Sequence, residues 1–272
     1  MVRIWRVHEP RRSTTCPHQW EDGIVAEPAA LFHGYERSTT DDIWMHRSGT
    51  RPGANTVNVE RFRKLQGVLG RRQPDLTVLM ERVHKSHNLS AILRNCDAAG
   101  VLQAHAIPPK EGLDIHPHTS AGTSKWVKVV RHRTVQAATE HLRAEGFQIL
   151  AAHPGDGGAV DYRDVDFTAP TAIMVGAELL GLTDDALAMA DQLVEIPMLG
   201  MASSLNVSVA TALLLFEAAS QRTAAHMYET SRLPREEFER ILFEWAYPRV
   251  SRKLREDGRP YPTLDAAGDF HL

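Results

Sequence analysis

The sequence has few cysteines and almost no excess charge. Its two cysteines, Cys16 and Cys96, are too few for a disulfide framework or a cysteine-rich metal site. No secretory segment is recognisable, and together these features predict a cytoplasmic protein. Lys and Arg number 31 and Asp and Glu number 34, which gives a formal net charge of −3. Contact with a polyanion must therefore come from a local patch rather than from the overall field.

Three common signatures are also missing. The most apolar stretch, residues 204–222, is interrupted by polar side chains and is a poor membrane span. The glycine-rich turn at Gly155–Gly158 does not read G-x-G-x-x-G, so it gives no dinucleotide fingerprint. The histidines His105, His116 and His118 match no zinc-ligand spacing, so no metal is expected.

Residues 1–57 lack the periodicity of a helix or a strand. They mix tryptophan, proline, glycine and charge without a pattern that could bury a core, and we expect a disordered extension. The alternative is a start codon assigned too far upstream, for which Met45 is an internal candidate.

Residues 76–225 alternate short apolar strands with helices. This alternation predicts an α/β domain with a mainly parallel sheet and helices on both faces. The predicted strands are Leu76–Met80, Val101–Ile107, Trp126–Val130, Phe147–Ala152, Thr171–Gly176 and Leu193–Ile196. Ligands of such sheets bind beyond the carboxyl ends of the strands, where Ala152, Gly176 and Ile196 lie. Residues 226–272 are predicted to form a helical C-terminal region.

Residues 58–75 include a basic amphipathic helix, predicted over Glu60–Arg72. Its apolar residues recur at helical spacing, and its five cations face one acid, Glu60. The cations are Arg61, Arg63, Lys64, Arg71 and Arg72. Such a run is often only a solvated face, and the other interpretation is a helix that contacts RNA phosphates.

The stretch Ile196–Ala210 reads IPMLGMASSLNVSVA and joins a strand end to a long apolar helix. The helix is predicted over Ser204–Arg222, and it is apolar nearly all round, so it should be buried. Ser204 and Asn206 lie at its mouth, where free backbone N–H groups are found. The pattern fits either a capped core helix or a ligand-binding corner.

A second stretch, His87–Asn95, reads HNLSAILRN. Asn88 is predicted to cap the helix, and Arg94 lies nearly two turns further on, so the two are not neighbours on one helix face. Arg94 is the one cation in an otherwise mostly small and apolar helix. Its structural alternative is a salt bridge to Asp97 or to another carboxylate.

Together with Val175–Leu182, VGAELLGL, these stretches resemble the three ordered motifs of the SpoU-type (TrmH-like) RNA ribose 2′-O-methyltransferases of the SPOUT class. The motifs are N-x-x-A-x-x-R, G-x-E-x-x-G and IPMLGMxxSLNVSVA. The resemblance covers about residues 60 to 272 and is strongest to the bacterial enzymes that modify a guanosine in the tRNA D-loop, at position 18. It implies S-adenosylmethionine as methyl donor, tRNA as partner, a homodimer and a deep C-terminal trefoil knot.

The resemblance also implies roles for individual residues. Arg94 and Asn88 would be catalytic. Arg94 would act as a base or as a group that orients the 2′-hydroxyl, since a guanidinium loses its proton only at a pH above about 12. The donor would be held, largely through the backbone, by Ala152, Gly176, Glu178, Ile196 and Leu205. The RNA would be contacted by Arg61, Lys64, Arg72, Ser204, Asn206 and Arg222. Glu178 could instead brace its loop or be an ordinary surface acid.

Three positions depart from the family pattern: Ala177 and Leu179 in the second motif, and Ser220 where the closest relatives carry an arginine. Ala177 gives up side-chain hydrogen bonds beside the donor, and Ser220 removes one phosphate contact. The alternatives to the tRNA enzyme are a ribosomal RNA ribose methyltransferase, a knotted RNA-binding protein without catalysis, and a generic α/β nucleotide-binding enzyme. The last lacks a phosphate-loop motif.

Overall fold

The computed structural model describes residues 57–109, 125–153 and 158–271. The predicted N-terminal extension with Met45, the histidines His116 and His118, and most of the Gly155–Gly158 turn lie outside these residues.

A seven-stranded sheet forms the centre of the domain, in the order β3-β2-β1-β6-β4-β7-β5. Every pair of neighbouring strands is parallel, which confirms the predicted sheet type. The strands are β1 Leu76–Glu81, β2 Gln103–Ile107, β3 Lys128–Arg131, β4 Gln148–Ala152, β5 Val160–Asp161, β6 Thr171–Val175 and β7 Gln192–Glu195. The short edge strand β5 was not predicted, because two residues carry no periodic signal.

The central strands β1 and β6 are buried along their whole length, which explains why they read as unbroken apolar runs. Strands β6, β4 and β7 are neighbours, so their carboxyl ends lie side by side at one edge of the sheet. Ala152 ends β4, while Gly176 and Ile196 follow β6 and β7 directly. The three positions predicted to hold a ligand therefore occur at one edge.

Helices cover both faces of the sheet. Leu93 of α2 and Leu214 of α5 belong to the core on one face, and Leu142 of α3 and Ala186 of α4 to the core on the other. The helices are α1 Val59–Gly70, α2 Ser86–Ala98, α3 Val135–Ala144, α4 Asp184–Ala188, α5 Val207–Ala224, α6 Arg235–Ala246 and α7 Pro248–Glu256. One turn of 3-10 helix follows β5 at Tyr162–Asp164.

Helix α1 packs with α6 in a separate apolar cluster. In this cluster Phe62 and Leu65 lie with Trp245, and Leu102 and Trp126 pack against it. Leu102 and Trp126 precede β2 and β3, so the cluster adjoins the amino ends of these strands. The predicted RNA-contacting helix therefore lies away from the edge that carries Ala152, Gly176 and Ile196.

Two helix starts differ from prediction. Helix α2 begins at Ser86 with Lys85 at its cap position, so Asn88 is inside the first turn and is not the cap. Helix α5 begins at Val207 with Asn206 as its cap, so Ser204 precedes the helix. Near both helix starts the sequence offers several polar residues that could act as the cap. Hydrogen bonds to distant residues, such as that between Asn88 and Asn206, help to determine where each helix begins.

Helix α5 is also less buried than its composition suggested. Val209 is 48% exposed, Leu213 38% and Phe216 54%, whereas Leu214 and Leu215 are buried. The prediction of a fully buried helix was wrong for the single chain, because only one side of α5 faces the sheet.

No helix within the described ranges is both long and apolar enough to cross a membrane.

Candidate active site

The second motif forms a tight loop directly after β6. The Ala177 N–H donates to the Gly181 carbonyl at 3.1 Å, and the Gly181 N–H donates to the Ala177 carbonyl at 2.8 Å. A Cβ atom on Gly176 would lie 2.2 Å from the Gly181 carbonyl carbon, so only glycine fits at this position. The loop thus depends on Gly176 for its shape.

Asn88 connects all three motifs. Its side-chain N–H donates to Glu178 Oε1 at 2.8 Å, and its Oδ1 accepts from Asn206 Nδ2 at 3.1 Å. Asn88 is 2% exposed, so both ends of a buried amide are satisfied by side chains that lie far away in the sequence. Asn206 in turn caps α5, since its Oδ1 accepts from the Ser208 N–H at 2.8 Å.

Glu178 braces the start of α2. Besides Asn88, its carboxylate accepts from the backbone N–H of His84 at 3.3 Å and of Lys85 at 3.0 Å. Partial burial raises the pKa of Glu178, but the hydrogen bonds from Asn88 and from the backbone outweigh it, so the pKa lies below its ordinary value. Of the three roles considered for Glu178, these contacts favour the brace.

Glu81 was missed by the sequence analysis. It ends β1, is 3% exposed, and accepts from the Thr183 N–H at 2.9 Å and the Thr183 hydroxyl at 2.8 Å. Thr183 follows the second-motif loop and caps α4. The available signal was a single carboxylate at the end of an otherwise apolar strand, because a buried carboxylate needs donors that another segment must supply.

Arg94 is exposed on α2 and forms no hydrogen bond or ion pair with any described residue. The salt bridge to Asp97 considered for it does not form, because Asp97 pairs with Arg72. The next residue, Asn95, donates to the Ser208 carbonyl at 2.9 Å, so this part of α2 is fixed against the first turn of α5. Arg94 therefore extends from a rigid helix beside the third motif.

Arg72 and Arg222 are not available to RNA, which corrects two of the predicted contacts. Arg72 is 1% exposed, pairs with Asp97 and donates to the Val101 carbonyl at 3.0 Å. Arg222 is fully buried and donates to Asp75 Oδ1 at 2.6 Å and to the Phe167 carbonyl at 2.8 Å. Both side chains join secondary-structure elements inside the protein.

The remaining predicted residues are at the surface or near it. Arg61 and Lys64 are exposed on α1, Leu205 is exposed in the loop before α5, and Ser204 beside it is exposed too. Ala152 and Ile196 are half-buried. The structure therefore groups the residues predicted to hold the donor and to act in catalysis at one edge, but it does not bring Arg61 and Lys64 to that edge.

No group of His, Cys, Asp or Glu that could hold a metal ion occurs among residues 57–109, 125–153 and 158–271. His105 instead contacts His132 through a 2.8 Å hydrogen bond between Nδ1 and Nε2.

These residues make a site that can bind and orient reactants. It offers backbone groups at three strand ends, a fixed chain of amide and carboxylate side chains, and one exposed guanidinium on a rigid helix. Such sites accelerate reactions chiefly by alignment and electrostatic preorganisation.

Two family models match most of the domain. Residues 75–216 match the model of the SpoU rRNA Methylase family, and residues 220–271 match the model described as SpoU, rRNA methylase, C-terminal. The chain is 48% identical over 216 residues to the tRNA (guanosine(18)-2'-O)-methyltransferase of Escherichia coli K12, covering 79% of this chain and 94% of that protein. It is 50% identical over 185 residues to the Thermus thermophilus protein of the same name, covering 68% and 95%. The Aquifex aeolicus TrmH/SpoU tRNA modifying enzyme has a similar structure, with a TM-score of 0.66, 40% identity, and coverage of 70% of this chain and 97% of that one.

Proposed function

The chain belongs to the SpoU methylase family, and from that membership and the geometry of its site we propose that it is a tRNA (guanosine-2′-O-)-methyltransferase that modifies guanosine 18 in the D-loop. The single observation that carries the proposal is the hydrogen-bonded chain Glu178–Asn88–Asn206, which unites one polar residue from each motif. The presence of this chain beside an exposed arginine argues against a protein that has lost catalysis.

The donor in this proposal is S-adenosylmethionine, which supplies a methyl group on a sulfonium centre when bound. Backbone groups of Ala152, Gly176, Ile196 and Leu205 would hold it at the ends of β4, β6 and β7 and in the loop before α5. The Gly176 loop is compatible with this fit, because a Cβ atom at Gly176 would collide with Gly181, so the loop carries no side chain at its first residue. No metal is part of the proposal.

Arg94 would contact the acceptor ribose. Two roles stay open: general base, or a group that orients the 2′-hydroxyl and the adjoining phosphate. The guanidinium is exposed and pairs with no described residue, which favours orientation, because its donors can form a fork with phosphate and hydroxyl oxygens. Asn88 would act by fixing the start of α2, and Ser204 and Asn206 by closing the site from the third motif.

The exposed cations of α1, including Arg61 and Lys64, are proposed to contact a part of the tRNA away from the methylated ribose. Their distance from the strand ends is compatible with a large substrate, since RNA-binding surfaces follow the phosphate backbone over many nucleotides.

A homodimer is also proposed. Its support is a stripe of apolar side chains formed by Val209, Leu213 and Phe216 on the outer side of α5 and by Leu205 in the loop before it, which are all at least a third exposed. The trefoil knot, the cytoplasmic location and the separate roles of residues 1–57, 58–75 and 226–272 stay predictions.

The test is incubation of the purified protein with tRNA transcript and methyl-labelled donor, followed by digestion and mass spectrometry of the nucleosides. The expected product is 2′-O-methylguanosine, and it should disappear when guanosine 18 is replaced. Label on a base would contradict the proposed chemistry. Label on ribosomal RNA alone would favour the alternative substrate.

A further inference from the structure

Two carboxylates, Glu81 and Glu178, connect the segment around the end of β1 to the second-motif loop, and each segment contributes one of them. Glu81, at the end of β1, accepts two hydrogen bonds from Thr183, at the end of the second-motif loop. Glu178, within that loop, accepts three hydrogen bonds from His84, Lys85 and Asn88, which follow β1. Each segment thus supplies one carboxylate and receives the other.

The segment between Glu81 and α2 is held under backbone strain. Arg82 has a φ of 52°, in the left-handed region that disfavours residues with a side chain. Its N–H donates to the Ile107 carbonyl at 2.9 Å, and the next residue, Val83, is 2% exposed in the core. A strained turn of this kind persists only when its surroundings determine it on several sides. Here those surroundings include both carboxylates.

We propose that Glu81 is a positioning residue that couples the donor loop, residues 176–183, to the helix that carries Asn88 and Arg94. This rests on the proposed function. Glu81 is buried, and its carboxylate is occupied by Thr183. It fixes the far end of the donor loop relative to β1, while Glu178 fixes the start of α2 relative to the same loop. A displacement of about 1 Å between reacting groups can cost about a hundredfold in rate, so the coupling bears directly on methyl transfer.

The first test compares Glu81→Gln with the wild-type enzyme and with Asp191→Asn. The glutamine keeps a similar shape but loses the charge. Its oxygen can accept from the Thr183 N–H, whereas its amide nitrogen can only donate to the Thr183 hydroxyl, which then no longer donates to residue 81. Asp191 is a matched control, because its carboxylate also accepts a backbone N–H, that of Ile149 at 2.7 Å, but at the amino end of β4. Each protein is examined by urea unfolding, calorimetric titration with S-adenosylmethionine, and single-turnover methylation of tRNA at saturating donor.

Glu81→Gln should slow single turnover by about tenfold to a hundredfold and weaken donor binding several-fold. Asp191→Asn should change stability with little effect on either quantity. If Glu81→Gln lowers stability but leaves both the rate and the donor affinity unchanged, Glu81 is a structural residue and the proposal is overturned.

Two further variants test the hydrogen bonds and the coupling. Thr183→Ser keeps both donors and should retain the wild-type rate, whereas Thr183→Val loses the hydroxyl and should slow single turnover. The double variant Glu81→Gln/Glu178→Gln should be less impaired than the product of the two single effects, because the loss of either carboxylate already uncouples the two segments. Effects that simply multiply would mean that the two carboxylates act independently, and the coupling would be refuted.

Donor titration keeps this inference separate from the proposed function. If the wild-type protein methylates no RNA, the proposed function fails, but donor binding can still be measured. A weaker donor affinity in Glu81→Gln would then still support the role of Glu81 in holding the loop, and an unchanged affinity would refute it.

Discussion

Arg94 differs from the other arginines near the core because no described group neutralises it. Asp97 is three residues from Arg94 in the sequence, but its carboxylate forms an ion pair with Arg72 instead. The guanidinium of Arg94 is thereby left for a ligand. This arrangement separates a buried, paired arginine from an exposed, unpaired one within a short stretch of chain.

Arg94→Ala should therefore abolish methyl transfer while leaving donor affinity and the free energy of unfolding nearly unchanged. Arg94→Lys should also be poor, because lysine keeps the charge and loses the planar fork. Single-turnover kinetics and donor calorimetry measure the two effects. A lysine variant with most of the wild-type rate would replace the geometric role by a simple electrostatic one.

Arg222 should behave in the opposite way. Arg222→Ala leaves Asp75 with only its second partner, the partly exposed Arg232. It also removes the bonds that fasten the end of α5 to the segments before β1 and β6. We expect a loss of about 3 to 5 kcal/mol in the free energy of unfolding, as for other broken buried pairs. Urea unfolding measures it, with Arg61→Ala as an exposed control within about 0.5 kcal/mol of the wild type. A stable Arg222→Ala protein with weakened tRNA binding would restore the RNA-contact interpretation.

Two histidines in contact, His105 on β2 and His132 directly after β3, give the protein a dependence on pH. Burial, together with the nearby His132, lowers the pKa of His105 to about 3, and burial with the nearby His141 lowers the pKa of His132. In the unfolded chain a histidine takes up its proton near pH 6.5, so below that pH the unfolded state binds more protons than the folded state. Stability should fall as the pH drops from about 6.5 towards about 3.

The contribution of His105 at about pH 5 is about 1 to 2 kcal/mol, from the shift in its pKa. Unfolding of His105→Gln by urea at about pH 7.5 and at about pH 5 should therefore show a smaller loss of stability than in the wild type. His226→Gln, which changes a surface histidine, is the control and should not reduce the loss. An equal pH dependence in wild type and His105→Gln would exclude this origin.

Among the elements, those with a continuous or periodic apolar pattern could be predicted, and those fixed by long-range polar contacts could not. Strands β1 and β6 were found because burial on both faces makes them apolar throughout. The burial of Arg222 depends on Asp75, 147 residues away, and the role of Glu81 depends on Thr183, 102 residues away. No local pattern carries such pairings, and this is why two arginines were taken as RNA contacts and Glu81 was overlooked.

Helix α1 presents the predicted basic surface with four of its five cations. The exposed cations at this helix are Arg61, Arg63, Lys64 and Arg71, whereas Arg72 faces inwards. Changing Arg61, Lys64 and Arg71 to alanine should weaken tRNA binding and reduce the log–log salt slope by about 0.9 for each phosphate that is no longer neutralised, using the value for B-DNA. Donor affinity should not change.

A variant of equal charge provides the control for α1. Arg249, Arg252 and Lys253 are exposed on α7, and their change to alanine removes three cations elsewhere on the molecule. If this variant weakens tRNA binding as much as the α1 variant, the attraction comes from the general field rather than from phosphates bound by α1.

At the scale of the whole molecule, the exposed apolar surface has no explanation within a single chain. Besides the stripe, four side chains of the motif loops are each more than 85% exposed: Leu179, Leu180, Leu199 and Met201. Soluble monomers seldom leave so many large apolar groups in water, and patches of this kind usually mark an interface. The loops and α5 are connected through Asn88, so a partner that covers the stripe would also lie close to the active site.

We expect this surface to bind a second copy of the chain. Substitutions in the stripe test this expectation. Leu213→Glu combined with Phe216→Glu places two charges on the exposed side of α5 and leaves its buried side unchanged, so the protein should fold as a monomer. Multi-angle light scattering should find a dimer for the wild type and for Val59→Glu, a control at an apolar residue of α1 that is 41% exposed. Because the stripe leads to the motif loops, the monomeric variant should also lose methyl transfer while retaining its fold by circular dichroism. A wild-type protein that is monomeric and fully active at assay concentration would contradict the dimer, and the apolar loops would then have to serve the RNA instead.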